Sequence, residues 1–108
     1  MYKTQNNIKA VLKTVTEHSC PNIYNFHCHT NCSDGSLTPE ELIAQACFKG
    51  LKHISVTDHH TINAYDSMFK WINKNEEQSR GLTLWTGVEI TCLLDGFLVH
   101  VIALDFDM

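Results

Sequence analysis

The stretch Phe26-His27-Cys28-His29-Thr30-Asn31-Cys32-Ser33-Asp34-Gly35 decides how the rest of the chain is read. It continues an apolar lead-in, Ile23-Tyr24-Asn25-Phe26, and the two together predict a β-strand over residues 23–28. On a strand, residues i and i+2 share a face, so His27 and His29 converge on one side. Imidazole is a common ligand for zinc, iron, manganese or copper. Asp34 sits in a Ser-Asp-Gly turn just past the strand end, where a carboxylate can swing back toward those imidazoles. Taken alone, the stretch reads equally well as two packed or surface histidines beside an ordinary Asp-Gly turn.

Working outward, residues 5–18 place Ile8, Val11, Leu12 and Val15 at helical spacing, which predicts a leading helix with one apolar stripe. Cys20-Pro21-Asn22 breaks it before the first strand. Downstream, Thr38 is a good N-cap, Pro39 suits the first helical position, and Glu41 completes a capping box. Leu42, Ile43, Ala46 and Cys47 form the inner stripe of that second helix, and Gly50 fits its stop. A second strand, residues 53–57, ends in Asp58-His59-His60, and a third helix is expected from about Thr61 to Gln78 with Ile62, Tyr65, Phe69 and Ile72 on one face. Residues 82–94 read as one strand, Asp95-Gly96 as a tight turn and residues 97–104 as the returning strand. The order β-α-β-α-β with short loops is that of an α/β domain with parallel strands.

In such folds function collects at the C-terminal ends of the strands. His27, His29 and Asp34 fall at the end of the first strand, Asp58, His59 and His60 at the end of the second, and Glu89 lies in the third element. A two-residue turn at Asp95-Gly96 pairs Leu94 with Phe97 and Glu89 with Ile102. His100 then shares the face of Glu89, roughly 7–8 Å away on the diagonal. A slip of one residue would send His100 to the other face. A Glu or His in an apolar strand is costly to bury unless it is paired or metal-bound. A satisfied core polar group explains Glu89 or His100 taken singly. Six such residues on successive strand ends are better explained by a shared site.

With 108 residues the chain suits one small domain, and its 44% hydrophobic and 19% charged content is that of a soluble globular protein. The formal charge is −4 with no basic stripe, so no strong nucleic-acid footprint is expected. Five cysteines without a CxxC pair argue against a disulfide framework or zinc finger and suit a reducing compartment. Cys28 alternates away from the histidine face and reads as a small buried apolar residue, while Cys32 lies in the loop near the site. No stretch approaches the roughly 18 apolar residues of a membrane helix. Residues 3–16 are basic and acid-free, a weak likeness to a targeting helix, but they lack Arg. A cytoplasmic location is the expectation.

These motifs resemble the PHP (polymerase and histidinol phosphatase) family. Its opening HxHxxxSDG is matched by His27 through Gly35. Thr38-Pro39-Glu40-Glu41-Leu42, Gly50-Leu51, Thr57-Asp58-His59, Gly87-Val88-Glu89 and His100 follow in the family's order. The family often has an acidic residue where His60 stands and a proline where Thr86 stands. The resemblance implies a partial (β/α) barrel of about three strand-helix units plus a β-hairpin. Residues 1–20 would be a leading helix, and residues 21–108 the N-terminal half of a metal-binding domain, since a whole barrel needs on the order of 200 residues.

By the same resemblance, His27, His29, Asp34, His59, Glu89 and His100 are metal ligands for two or three divalent ions (Zn, Mn or Fe). Asp58, His59 and His60 carry the catalytic expectation: Asp58 to orient a ligating imidazole, His60 to protonate a leaving oxygen, bind phosphate or make a structural hydrogen bond. The implied activity is hydrolysis of a phosphate monoester or nucleotide, most like the stand-alone nucleotide phosphoesterase branch. The alternatives are a 3′-5′ exonuclease of the proofreading type, or an inactive metal-binding half-domain or interaction module. The expected partners are a phosphorylated small molecule or nucleotide, and a second copy or complementing chain at an exposed strand edge near residues 97–104.

Overall fold

A computed structural model describes residues 8–16 and 23–108. Its elements are α1 (Ile8–Leu12), β1 (Tyr24–Cys28), α2 (Pro39–Phe48), β2 (His53–Val56), α3 (Ala64–Lys74), β3 (Thr83–Trp85), β4 (Gly87–Leu94) and β5 (Phe97–Leu104). The strands β1-β2-β3 form a parallel sheet in that order, and β4-β5 form a separate antiparallel pair. The mixed α/β class with parallel strands is therefore observed. Among the described residues, no helix is long and apolar enough to cross a membrane.

The best-signed helix forms as its sequence dictates. The Thr38 hydroxyl accepts from the Glu41 N–H at 3.1 Å, and the Glu41 carboxylate accepts from the Thr38 N–H at 2.9 Å. At the other end Gly50 takes φ +78°, and the N–H groups of Gly50 and Leu51 return to the carbonyls of Cys47 and Ala46. This paired closure needs a residue without a Cβ penalty at positive φ. Ile43 and Ala46 of α2 join Ala64, Tyr65 and Met68 of α3 over Ile54, Val56 and Leu84 of the sheet.

Three expected boundaries move. Of the leading helix only Ile8–Leu12 is helical within the described residues, and the Cys20-Pro21-Asn22 break lies outside them. The third helix is shorter than the expected 61–78. His60 takes a left-handed φ of +54°, the Thr61 hydroxyl accepts from the Asn63 N–H, and the helix begins at Ala64, leaving Ile62 exposed. At its end the Asn75 amide caps the Trp71 carbonyl at 2.8 Å. The expected single strand over 82–94 breaks at Thr86, where the chain leaves one sheet for the other.

Tyr65 explains that break. Its phenol donates to the carbonyls of Val56 (2.7 Å) and Trp85 (2.9 Å) and accepts from the Val56 N–H (3.1 Å). The hydroxyl thus satisfies backbone groups at the point where β2 and β3 part. Beyond it β4 takes over beside the extension of β2: the Asp58 carbonyl accepts from the Glu89 N–H, and the Glu89 carbonyl accepts from the His60 N–H. The approach is close, because a Cβ on Gly87 would strike the Ser55 hydroxyl and come within 2.9 Å of the Thr57 methyl. Thr86 fastens the hairpin's base. Its hydroxyl bonds both the N–H and the carbonyl of Phe106 at 2.8 Å, and its carbonyl accepts from the Asp105 N–H.

The hairpin register is the one the turn dictates, with Leu94 opposite Phe97 and Glu89 opposite Ile102. One face carries Glu89, Thr91, Leu93, Leu98 and His100; the other is apolar from Val88 and Ala103 out to Leu94 and Phe97. Leu93, Leu94, Phe97 and Leu98 at the tip are exposed.

Two expectations follow. Tyr65→Phe orphans backbone groups buried between β2 and β3, at about 1–3 kcal/mol each. It should lower the melting temperature by roughly 10 °C, measured by circular dichroism. Under the sheet, Trp85 Nε1–H donates to His53 Nδ1 at 3.1 Å, and Tyr24 stacks on the same ring at 5.2 Å. Burial, and then the neighbouring Lys52 charge, lower the His53 pKa from its ordinary 6.5. The unfolded chain therefore takes up this proton first as pH falls. The contribution is intact above the unfolded value near 6.5 and is lost as pH falls through the folded value. A non-titrating His53→Gln variant should lose less stability than wild type between pH 8 and 5, followed by thermal melts.

Candidate metal centre

Strand β1 delivers His27 at its end and His29 just beyond, with an irregularity in the β1–β2 pairing between Asn25 and Cys28. Asn25 Oδ1 accepts from the His27 N–H at 3.1 Å. The two rings do converge, with centroids 5.2 Å apart. His59 follows β2 and stacks on His29 with ring centroids 4.5 Å apart and planes nearly parallel at 16°. Glu89 rises from the buried root of β4.

One carboxylate organises these imidazoles. Glu89 Oε1 lies 3.1 Å from His27 Nε2, 3.2 Å from His29 Nε2 and 3.7 Å from His59 Nδ1. Its Oε2 lies 3.5 Å from His100 Nδ1. Burial pushes the Glu89 carboxyl up, but the His27 hydrogen bond and the potentials of His59, His27 and His29 outweigh it, so the net shift is downward. The group holds its charge beneath the imidazoles.

The exposed Asp34 closes the other side, with Oδ2 3.0 Å from His59 Nε2 and Oδ1 3.4 Å from His29 Nδ1. The six expected residues thus come together. Five of them make up two candidate ligand sets, His27–His29–Glu89 and His29–Asp34–His59, with ligand atoms within 4.8 Å of one another in each, while His100 meets Glu89 from outside both sets. His29 Nδ1 is buried without a hydrogen-bond partner. A buried nitrogen without a hydrogen bond is costly, and a cation between it and the Asp34 carboxylate 3.4 Å away would relieve that cost. Nitrogen and carboxylate donors suit zinc, manganese or iron.

The remaining expected residues take other positions. Asp58 is fully buried and touches no imidazole. Its Oδ1 accepts from the Thr30 N–H (2.6 Å) and the Ser33 hydroxyl (2.7 Å), and its Oδ2 from the Thr30 hydroxyl (2.6 Å). It holds the loop leading to Asp34 instead of orienting a ring. His60 Nε2 accepts from the Thr91 N–H at 3.1 Å, the structural hydrogen bond among its three expected roles. Thr91 in turn places its hydroxyl 3.0 Å from His100 Nδ1. Cys28 is half-buried, donating to the Ser55 carbonyl, and burial with the Asp58 charge pushes its thiol up to about 12. Cys32 is exposed. Thr30 and Thr91 were missed by the sequence reading, because a threonine in a loop or strand carries no signal of its partner.

The PHP domain family pattern matches residues 25–104. The chain belongs to the PHP domain family. It is similar to a 5′-3′ exoribonuclease of Haemophilus influenzae, 36% identical over 84 residues, which cover 78% of this chain and 29% of that protein. It is also similar to the Escherichia coli 5′-3′ exoribonuclease Rnm, 34% identical over 86 residues, 80% of this chain and 28% of that protein. Among solved structures it resembles a Bifidobacterium adolescentis protein described as a metal-dependent phosphoesterase (33% identity, TM-score 0.66). It likewise resembles a Chromobacterium violaceum amidohydrolase (27% identity, TM-score 0.67). Each structural match covers 78% of this chain and 28% of the other. The PHP chain therefore spans under a third of the length of these relatives, within a family of metal-dependent hydrolases.

Gly35 gives the site a test. A Cβ there would strike the His29 carbonyl oxygen and come within 2.6 Å of its carbon and 2.9 Å of the Thr30 oxygen. These are backbone atoms, so the loop must move and carry Asp34 with it. Gly35→Ala should weaken Mn²⁺ binding about tenfold or more, measured by calorimetry, with the far-ultraviolet spectrum unchanged.

Proposed function

We propose that this chain forms part of the active centre of a metal-dependent phosphoesterase acting on a phosphate ester of a nucleotide or RNA. The observation that carries the reading is the convergence of four imidazoles, from β1, β5 and the loops after β1 and β2, on the buried Glu89 carboxylate of β4, with the Asp34 carboxylate closing on two of them from the other side. The exoribonuclease relatives favour RNA over a small monoester. The barrel reading is part of the same proposal: β1, β2 and β3 are the opening strands of a (β/α) barrel, and residues 21–108 its first half.

His27, His29, Asp34, His59, Glu89 and His100 would hold divalent ions. When bound, such ions lower the pKa of a coordinated water and neutralise charge on the phosphoryl oxygens. The chain's own part is to fix the donors. Glu89 gathers the rings from below, Thr91 steadies His100 at the hairpin, and His59 stacks against His29. His60 accepts the Thr91 N–H at Nε2, which leaves its ring proton on Nδ1, so an acid role would fall to that nitrogen.

A second reading is a metal-binding module that works with another chain. The outer edge of β5, which pairs with no strand among the described residues, and the exposed hairpin tip favour it.

The test loads the chain with Mn²⁺ and follows both a 5′-phosphorylated RNA oligonucleotide and p-nitrophenyl phosphate. Bound ions with turnover of the RNA, lost on chelation and reduced about 100-fold in His27→Ala, are the expected result. Bound ions with no turnover of either substrate would favour the second reading. A chain that binds no ion sinks the ligand assignment.

A further inference from the structure

The buried Asp58 side chain has no contact with any imidazole, yet all its hydrogen bonds go to the segment that ends in Asp34. The segment's other contacts are within the loop or at the site itself: the Leu37 carbonyl accepts from the Asn31 N–H at 2.8 Å, and the Asp34 carboxylate meets His59 Nε2 at 3.0 Å and His29 Nδ1 at 3.4 Å. The Thr30 carbonyl accepts from the Ser33 and Gly35 N–H groups, and the Thr30 hydroxyl accepts from the Cys32 N–H at 3.1 Å. Asp34 itself is exposed, so packing does not fix its carboxylate. The link between Asp58 and the Glu89 strand is different in kind, because it runs from the Asp58 backbone carbonyl to the Glu89 N–H. Truncating the side chain leaves that bond in place.

The two ligand sets therefore depend on Asp58 unequally. His27, His29 and Glu89 stand on or beside strands paired by backbone bonds. Asp34 stands on a loop whose anchor to the sheet is the Asp58 carboxylate. We infer that Asp58 is a positioning residue for one ion only: its carboxylate sets the Asp34 side of the centre, and the His27–His29–Glu89 side forms without it.

This inference rests on the metal-dependent reading above and adds a selectivity that the reading does not require. Its geometry also explains why a short acid is needed. Two oxygens must meet a backbone N–H and two hydroxyls within 2.6–2.7 Å, in a space with no solvent access. Charge-assisted bonds of this length are the strong ones, and they offset the cost of burying the carboxylate.

The experiment counts Mn²⁺ per chain by equilibrium dialysis and records the electron paramagnetic resonance spectrum, in which neighbouring Mn²⁺ ions show exchange coupling. The variants are Asp58→Ala, Asp58→Asn and Ser33→Ala, each checked for folding by circular dichroism without metal. In Asp58→Ala the expected result is one ion fewer, loss of the coupling signal, and affinity for the remaining ion within about threefold of wild type. Asp58→Asn keeps an acceptor for the Thr30 N–H and should recover part of the lost binding. Ser33→Ala removes a single hydroxyl from the clamp and should weaken the same ion by less, which keeps the test open if the Asp58 variants do not fold.

Wild-type stoichiometry and coupling in Asp58→Ala would overturn the inference. Equal loss of both ions in a folded Asp58→Ala chain would do so as well, since the role would then be general support. Unchanged binding in Ser33→Ala, with both Asp58 variants unfolded, would also count against it. Wild-type protein that binds no ion would remove the metal reading itself. That outcome is distinct from one in which wild type binds its ions and the variants bind as wild type does.

Discussion

Asp58 is the point where the segments carrying the clustered histidines and acids of this protein meet. Its side chain grips the loop after β1, its carbonyl receives the Glu89 amide from β4, and the next residue in the chain is His59. A buried carboxylate is tolerable only with its oxygens satisfied, and here each oxygen has a short partner. The same requirement that keeps Asp58 stable thus fixes the relative positions of three separate chain segments.

A second carboxylate is in a different condition. Glu89 is surrounded by rings whose nitrogens can be donors or acceptors, so its environment can adapt to what is bound. Asp58 has only fixed donors around it. The two acids thus differ in setting: one holds the frame, and the other faces the imidazole cluster. Together with Asp34, Glu89 brings a charge that complements a divalent cation, while the imidazoles add donor atoms without adding charge when neutral.

Much of this was legible in the sequence. The capping box at Thr38–Glu41, the Gly50 stop and the Asp95-Gly96 hairpin are local devices, and local chemistry decides them. The placement of His100 beside Glu89 followed from counting back from the turn, because a strand alternates with a period of two. What the sequence withheld depends on contacts far along the chain. Nothing near Thr86 announces a change of sheet, because the cause is the Tyr65 phenol 21 residues earlier and the Phe106 backbone 20 residues later. The third helix was read too long because its flanking residues have helical character but are taken up by the left-handed His60 and the Asn75 cap. The sequence places Asp58 beside an expected ligand, His59, and so points it at an imidazole. A buried acid chooses the nearest donors, and those were Thr30 and Ser33.

The closure at Thr86 has a meaning for how such a centre changes over evolutionary time. One threonine binds Phe106 through both backbone groups and Asp105 through its own carbonyl, so the chain enters and leaves the hairpin at the same spot. Residues 87–104 are therefore a cassette, delivering Glu89 and His100 as a fixed pair on one mounting point. Its free end at Asp95-Gly96 lies far along the chain from that mount, so sequence added at the tip leaves the pair's spacing from the root untouched. Length and side-chain placement can vary independently there: the tip can lengthen while Glu89 and His100 stay in register.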